Sequence, residues 1–328
     1  MKRLFTSKTT LLVLLMFALV VVAAGCAKEA KYPAKAIEYV VPLPPGGGSD
    51  LGARTVAKAL SKELGVPVNV VNKPGGNQIT GTKSVMDAKN DGYTLIADGA
   101  SQGSLHVLQK NLPYKLEDRT FVARVMSAPH AFYVSGNSPW NSLSDVVAAA
   151  KANPEEFSWA WAGGNTTTDF VLLQFFKEAG IDIEKTKRIP TAGAGKTVVA
   201  VAGNHISFGS GGASAVFSLA KSGDIKVLAI TGNKRLSQIP NVPTTMEAGF
   251  PKVDLNWWIG VSGPKNMPKE VVDKLAAAAK KVSESPEVLT ELSNIGAYPD
   301  YLGPAETRAY VLKEAEMFKE LAPKVGAN

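Results

Sequence analysis

The stretch IEYVVPLPPGGGSDLGARTVAKALSKEL, Ile37 to Leu64, decides the fold. "IEYVVPL" is a short apolar run of the kind that makes a buried strand. "PPGGGSD" is loop chemistry, and the segment after it places Val56, Leu60 and Leu64 on one helical face. Gly65 is a helix stop, and "PVNVV" is a second strand. "YTLIAD", Tyr93 to Asp98, is a third, after a turn at Asn90.

The same alternation continues along the chain. "AFYVSG", "FSWAWAG", "ISFGSG" and "KVLAITG" read as strands that end in Gly-rich turns. Helices are expected over Leu143–Ala152, Thr168–Ala179, Lys196–Ala202, Ser214–Lys221, Pro268–Ser283 and Ala305–Leu321. Strands alternating with helices predict an α/β protein with mainly parallel sheets. At 328 residues, 45% apolar and 20% charged, the chain has room for one large or two ordinary globular domains.

The N-terminus has a different character. Lys2, Arg3 and Lys8 precede the apolar run from Leu11 to Ala24, which is short for a membrane span. A basic start, a short apolar core and small residues at its end make a secretory signal. The chain's one cysteine, Cys26, closes "AAGC", which resembles a bacterial lipoprotein signal. Residues 1–25 are therefore expected to be removed, with lipid carried on Cys26 and residues 26–31 as a tether. The product would be exported and lipid-anchored to the outer face of the cytoplasmic membrane, or periplasmic. Loss of Lys2, Arg3 and Lys8 leaves 33 basic against 29 acidic residues, a net charge of +4 in place of +7. The basic residues are scattered, and nothing supports nucleic-acid binding.

Three Gly-rich turns, "GGGSD", "GGNTTTD" and "TAGAGKT", each run into a helix. Free backbone N–H groups and the positive dipole end of a helix favour an anion there, and three such turns point to a shared anion pocket. The plain alternative is that glycine serves the turn while Ser49, Asp50 or Thr166 caps the helix. "IPTAGAGKT" also ends like a phosphate-binding P-loop. Pro190, however, stands where that loop needs a small residue with a free N–H. "GASQG", Gly99 to Gly103, fits the nucleophile elbow of a serine hydrolase around Ser101. His106 is too close in sequence to be the usual late base, and the only other histidines are His130 and His205. Three scattered histidines show no metal-ligand spacing, and each is expected to be a surface or hydrogen-bonded core residue. Trp159 and Trp161 share one face of a strand, and core packing is the default for them and for Trp257 and Trp258.

Three segments in order, "YPAKAIEYVVPLPPGGGSDLGARTVAKAL", "NKPGGNQITGTKSV…DGYTLIAD" and "NKRLSQIPNVPTTMEAGF", carry a resemblance that covers the chain from Tyr32 on. The chain resembles the extracytoplasmic solute receptors of tripartite tricarboxylate transporters, the Bug family. That resemblance implies a two-lobed, type II periplasmic-binding-protein fold with a ligand in the cleft. Lobe 1 would hold residues 32–126 and 233–328, and lobe 2 residues 127–232, with crossings near Met126 and Ile230 to Gly232. It implies a small organic anion, a carboxylate first, held by backbone N–H groups and hydroxyls. The residues it places in the cleft are Pro45, Gly46, Gly47, Gly48, Ser49 and Asp50, then Ser101 and Trp161. They continue with Gly163, Gly164, Asn165, Thr166, Thr167 and Thr168, and with Thr191, Ala192, Gly193 and Ser210.

The partners it implies are integral membrane permease subunits, with contact to the membrane through lipid alone, no cofactor, no enzymatic activity and a monomer. A secreted serine hydrolase and a ligand sensor for a membrane kinase are the alternatives. The chain departs from the family pattern at Trp161, Asp169 and Ser207. Asp169 would repel an anion or pair with an amine if it faced the cleft, or else serve only as a charge at the helix start.

Overall fold

The computed structural model describes residues 31–322 except 102, 104, 105, 107, 110, 165, 192 and 193. The signal, Cys26 and the tether up to residue 30 lie outside the described residues, as do Asn165, Ala192 and Gly193.

The chain opens with β1 (Ile37–Val41), α1 (Gly48–Leu64), β2 (Val68–Asn72), α2 (Ile79–Met86), β3 (Thr94–Asp98) and β4 (Arg119–Ala128). It continues through β5 (His130–Ser135), α3 (Leu143–Ala152), β6 (Ser158–Trp161), α4 (Thr167–Ala179), β7 (Lys187–Pro190) and α5 (Ala194–Ala202). Then come β8 (Gly209–Gly212), α6 (Phe217–Ser222), β9 (Ile225–Ile230) and β10 (Trp257–Pro264). α7 (Lys269–Ser283), α8 (Pro286–Asn294), β11 (Tyr298–Leu302) and α9 (Pro304–Leu321) close it. The α/β expectation holds, and the six helices expected from Leu143 on match to within two residues, save one. The run Ser214–Lys221 is a 3-10 turn, Ala213–Val216, feeding the short α6.

The expectation of mainly parallel sheets does not hold. A six-stranded sheet has the order β11-β4-β10-β3-β1-β2, and only its β2-β1 and β1-β3 pairs are parallel. β10 is antiparallel to β3 and to β4, and β11 is antiparallel to β4. The second sheet, β8-β5-β9, is antiparallel, and β6 pairs with β7 in parallel beside it. The reason lies in the connections. A parallel neighbour needs a crossover, usually a helix. β4 instead runs straight into β5 through Pro129, and β10 follows the long irregular segment 231–256.

Each sheet has its own core. Ile37, Tyr39, Val56, Leu60, Val122, Ile259 and Leu275 pack around the six-stranded sheet. The second core is aromatic: Phe132 stacks on Phe208 with ring centres 5.7 Å apart, and Phe175 and Phe176 close around them. The other face of the second sheet buries Ala131, Tyr133, Val201 and Ile225. Full burial of one such large side chain is worth about 1.5–3 kcal/mol relative to exposure.

Candidate functional site

The two Gly-rich loops that lead into α1 and α4 are built alike. Gly47 caps α1 with extended backbone and no side-chain bond, so Gly48, Ser49 and Asp50 form the first turn. Thr166 caps α4, and its hydroxyl accepts from the Asp169 N–H at 3.2 Å. An aspartate therefore holds the third position of each helix and reaches back to its own loop. One Asp50 oxygen accepts from Gly46 N–H at 2.9 Å and Arg54 Nε at 3.0 Å, and the other from Asn72 Nδ2 at 2.9 Å. Asp169 accepts from Ala162 N–H at 2.7 Å and, on its second oxygen, from Gly164 N–H and the Thr166 hydroxyl, both at 2.9 Å.

These contacts settle how the two carboxylates are employed. Both are buried and both brace loop backbone. Burial raises the Asp169 pKa above the usual carboxylate range, because it outweighs the hydrogen bonds from Ala162, Thr166 and Gly164. Burial pushes Asp50 the same way, but Arg54, Gly46 and Asn72 together hold it below that range. The turn needs its glycines at Gly46, Gly163 and Gly164, whose φ angles are 91°, 101° and 77°. Apart from the Asp169 N–H, which donates to Thr166, the first-turn N–H groups of the two helices have no acceptor within their own helices, which makes them candidate donors for an anion.

Pro45, Gly46, Gly47 and Gly48 are exposed and Ser49 half-buried beside them. Gly163 is exposed, Gly164, Thr166 and Thr168 are half-buried, and Thr167 is buried. The third loop starts at Thr191, whose N–H donates to the Trp161 carbonyl at 2.7 Å and whose hydroxyl accepts from Thr197 at 2.9 Å. This ties the third loop to the strand that ends in the second. Ser101 lies half-buried in the turn after β3. Trp161 is turned into the core, edge-on to Trp159 with ring centres 5.4 Å apart and Arg188 lying over it at 5.0 Å.

Trp257 joins the two halves. Its six-membered ring lies 3.6 Å from where a Cβ on Gly48 would stand, and its Nε1 lies 3.5 Å from the equivalent point on Gly212. The indole thus spans from the start of α1 to the end of β8. The sequence reading placed Trp257 in the core by default; the structure leaves it half-buried, with Trp258 taking the core position.

Beneath Trp257 lies a polar pair that the sequence reading did not join. His130 is directly opposite Gly212 on the β5–β8 ladder, and Ser210 is opposite Phe132. Paired residues, and residues two apart on a strand, share a face. His130, Ser210 and the direction from Gly212 to Trp257 are thus on one side of the sheet. His130 is 2% and Ser210 0% exposed. Both imidazole nitrogens and the Ser210 hydroxyl lack a hydrogen-bond partner among the described residues. The expected hydrogen-bonded core histidine is therefore found at His106, not at His130. His106 Nδ1 accepts from the Tyr114 hydroxyl at 2.5 Å, and its Nε2–H donates to the Asn77 carbonyl at 3.0 Å. His205 is exposed. Among the described residues, no three His, Cys, Asp or Glu side chains are placed to share a metal ion.

Comparison with known proteins identifies the family and the fold. Residues 52–326 match the family described as tripartite tricarboxylate transporter family receptor. Protein BugT of Bordetella pertussis is 30% identical over 301 residues, covering 90% of this chain and 91% of its own. A TctC solute-binding protein from Polaromonas, solved with no ligand, superposes with a TM-score of 0.75 at 28% identity, covering 90% of this chain and all of that one. The periplasmic binding protein BugD gives a TM-score of 0.72 at 26% identity, over 90% of this chain and 99% of its own. With the match running from α1 to beyond α9, the chain belongs to the tripartite tricarboxylate transporter receptor family, and its fold is the two-lobed one of periplasmic solute-binding proteins.

Proposed function

We propose that this protein is an exported receptor that closes two lobes around a small organic carboxylate and presents it to integral membrane permease subunits. The observation that carries the reading is Trp257, whose indole reaches from Gly48 at the start of α1 to Gly212 at the end of β8 in the second sheet. Two helix N-termini then offer neutral N–H donors to one anion, which forms charge-assisted hydrogen bonds without a buried counter-charge. The lobes are residues 32–126 with 233–328, and 127–232, with the crossings near Met126, towards the end of β4, and Ile230 to Gly232, after β9. Ligand bridging them stabilises the closed state. Cys26 carries the lipid that holds the receptor at the membrane. No cofactor takes part, and the receptor acts as a monomer.

Hydrolysis at Ser101 finds no support. His106, the histidine nearest in sequence, has both nitrogens engaged by Tyr114 and Asn77, and His130 lies in the other sheet.

The test is thermal unfolding of purified protein that has been denatured and refolded to strip resident ligand. Mono-, di- and tricarboxylates are compared with their amides and methyl esters. A carboxylate at about 100 times its dissociation constant stabilises by about 2.7 kcal/mol, and the neutral analogue should not. Absence of a shift with every acid, in a cooperatively melting sample, would refute the carboxylate reading.

A further inference from the structure

We propose that His130 and Ser210 form a seat for a hydroxyl group on the ligand, so that the receptor prefers hydroxy-carboxylates to the matching acids without the hydroxyl. The inference rests on the carboxylate reading above and narrows its ligand class.

The geometry comes first. His130 and Ser210 stand diagonally across the β5–β8 ladder on the face towards Trp257. Diagonal neighbours have their Cβ atoms somewhat less than about 7–8 Å apart, so one small polar group between them would be within reach of both side chains. Trp257 lies on the same side of the sheet, against Gly212 opposite His130. Buried polar atoms in native proteins are almost always hydrogen-bonded. Here three on one face of the ladder, both imidazole nitrogens and a hydroxyl, have no partner among the described residues.

The chemistry selects the guest. Burial lowers the His130 pKa to about 4, so the imidazole is neutral, with one donor nitrogen and one acceptor. A carboxylate accepts only, and would turn its charge towards the bare nitrogen. An ammonium would have to shed its water where no carboxylate of this pair receives it. A hydroxyl both gives and takes, as does Ser210. A dry seat built to hydrogen-bond a hydroxyl rejects the analogue lacking it, because its own polar groups are then left unpaired.

The experiment compares matched acids on the ligand-stripped, refolded protein: malate with succinate, citrate with tricarballylate, lactate with propionate. Dissociation constants come from calorimetry. For the pair of the right length, the hydroxylated member should bind at least about tenfold more tightly. Ser210→Ala, which removes one oxygen, and His130→Leu should each bring that ratio towards one. His130→Asn, smaller and still polar, serves if the leucine variant does not fold. Equal binding within every pair, or a ratio that both variants leave intact, would overturn the seat and leave the carboxylate reading standing. Binding by no acid of either kind would remove the carboxylate reading itself, and this inference with it.

Discussion

Asp169 shows how one side chain decides what a Gly-rich loop can do. It stands where an anion site tolerates a negative charge least, yet both its oxygens are occupied by Ala162, Gly164 and Thr166. Of the roles open to it in the sequence, charge at the helix start is the one these contacts match, with loop bracing added. Asp169→Ala would free two loop N–H groups, and a destabilisation of about 1–3 kcal/mol is expected, measured by urea unfolding. Asp169→Asn keeps one acceptor oxygen and should cost less; an alanine variant as stable as the parent would disprove the bracing. The buried histidines give a prediction of a different kind. Burial lowers His106 and His130 to about 4 each, from an ordinary 6.5. As pH falls through that window the unfolded chain takes up two protons that the folded chain refuses. Stability is therefore full above about pH 6.5 and declines by roughly 3 kcal/mol per histidine on reaching pH 4. Urea midpoints read across that range should show the decline, and His130→Leu should remove about half of the contribution of these two groups.

At the scale of elements, what the sequence reveals depends on whether the partners are local. β1 with α1 is legible because strand, loop and apolar helix stripe follow one another within thirty residues. β4 was not, although all but one of its ten residues are buried. "RTFVARVMSA" carries two arginines, which spoil an apolar run, and the groups that neutralise them are remote. Arg119 meets Asp98 at 2.7 Å, with both side chains at most 1% exposed, and Arg124 meets Asp300 at 2.8 Å. Asp98→Ala leaves a buried guanidinium without that carboxylate, so a loss of about 3–5 kcal/mol is expected in chemical denaturation. A loss under about 1 kcal/mol would mean that water reaches Arg119. Trp257 escaped for a related reason. Adjacent residues on a strand point to opposite faces, and nothing in "NWWIG" says which tryptophan takes the core. His130 was read alone, because its association with Ser210 and Gly212 exists only once β5 and β8 pair across some eighty residues. The loops themselves were legible, since their glycines and hydroxyl residues signal locally.

At the scale of the whole molecule, α9 binds the two sheets into one body. At its start the Thr307 hydroxyl accepts from the Arg124 N–H at 2.9 Å, and Glu314 accepts from Trp258 Nε1 at 3.2 Å, both on the six-stranded sheet. Further along, Phe318 meets Phe170 of α4 edge-on at 4.7 Å, and Gln174 Nε2 reaches Met317 Sδ at 2.8 Å. The sequence reading gave this helix wholly to the first lobe, but its packing serves both. Phe318→Ala should cost about 3–5 kcal/mol of stability and raise the radius of gyration of the ligand-free protein in X-ray scattering. An unchanged radius would mean that α9 does not restrain the lobes. With the restraint in place, the last helix acts as a leash. On the proposed receptor reading, a swing limited by this contact would leave the unloaded and loaded shapes differing by little buried surface and close in free energy. Only a modest preference of the ligand for one shape is then enough to move nearly the whole population into it.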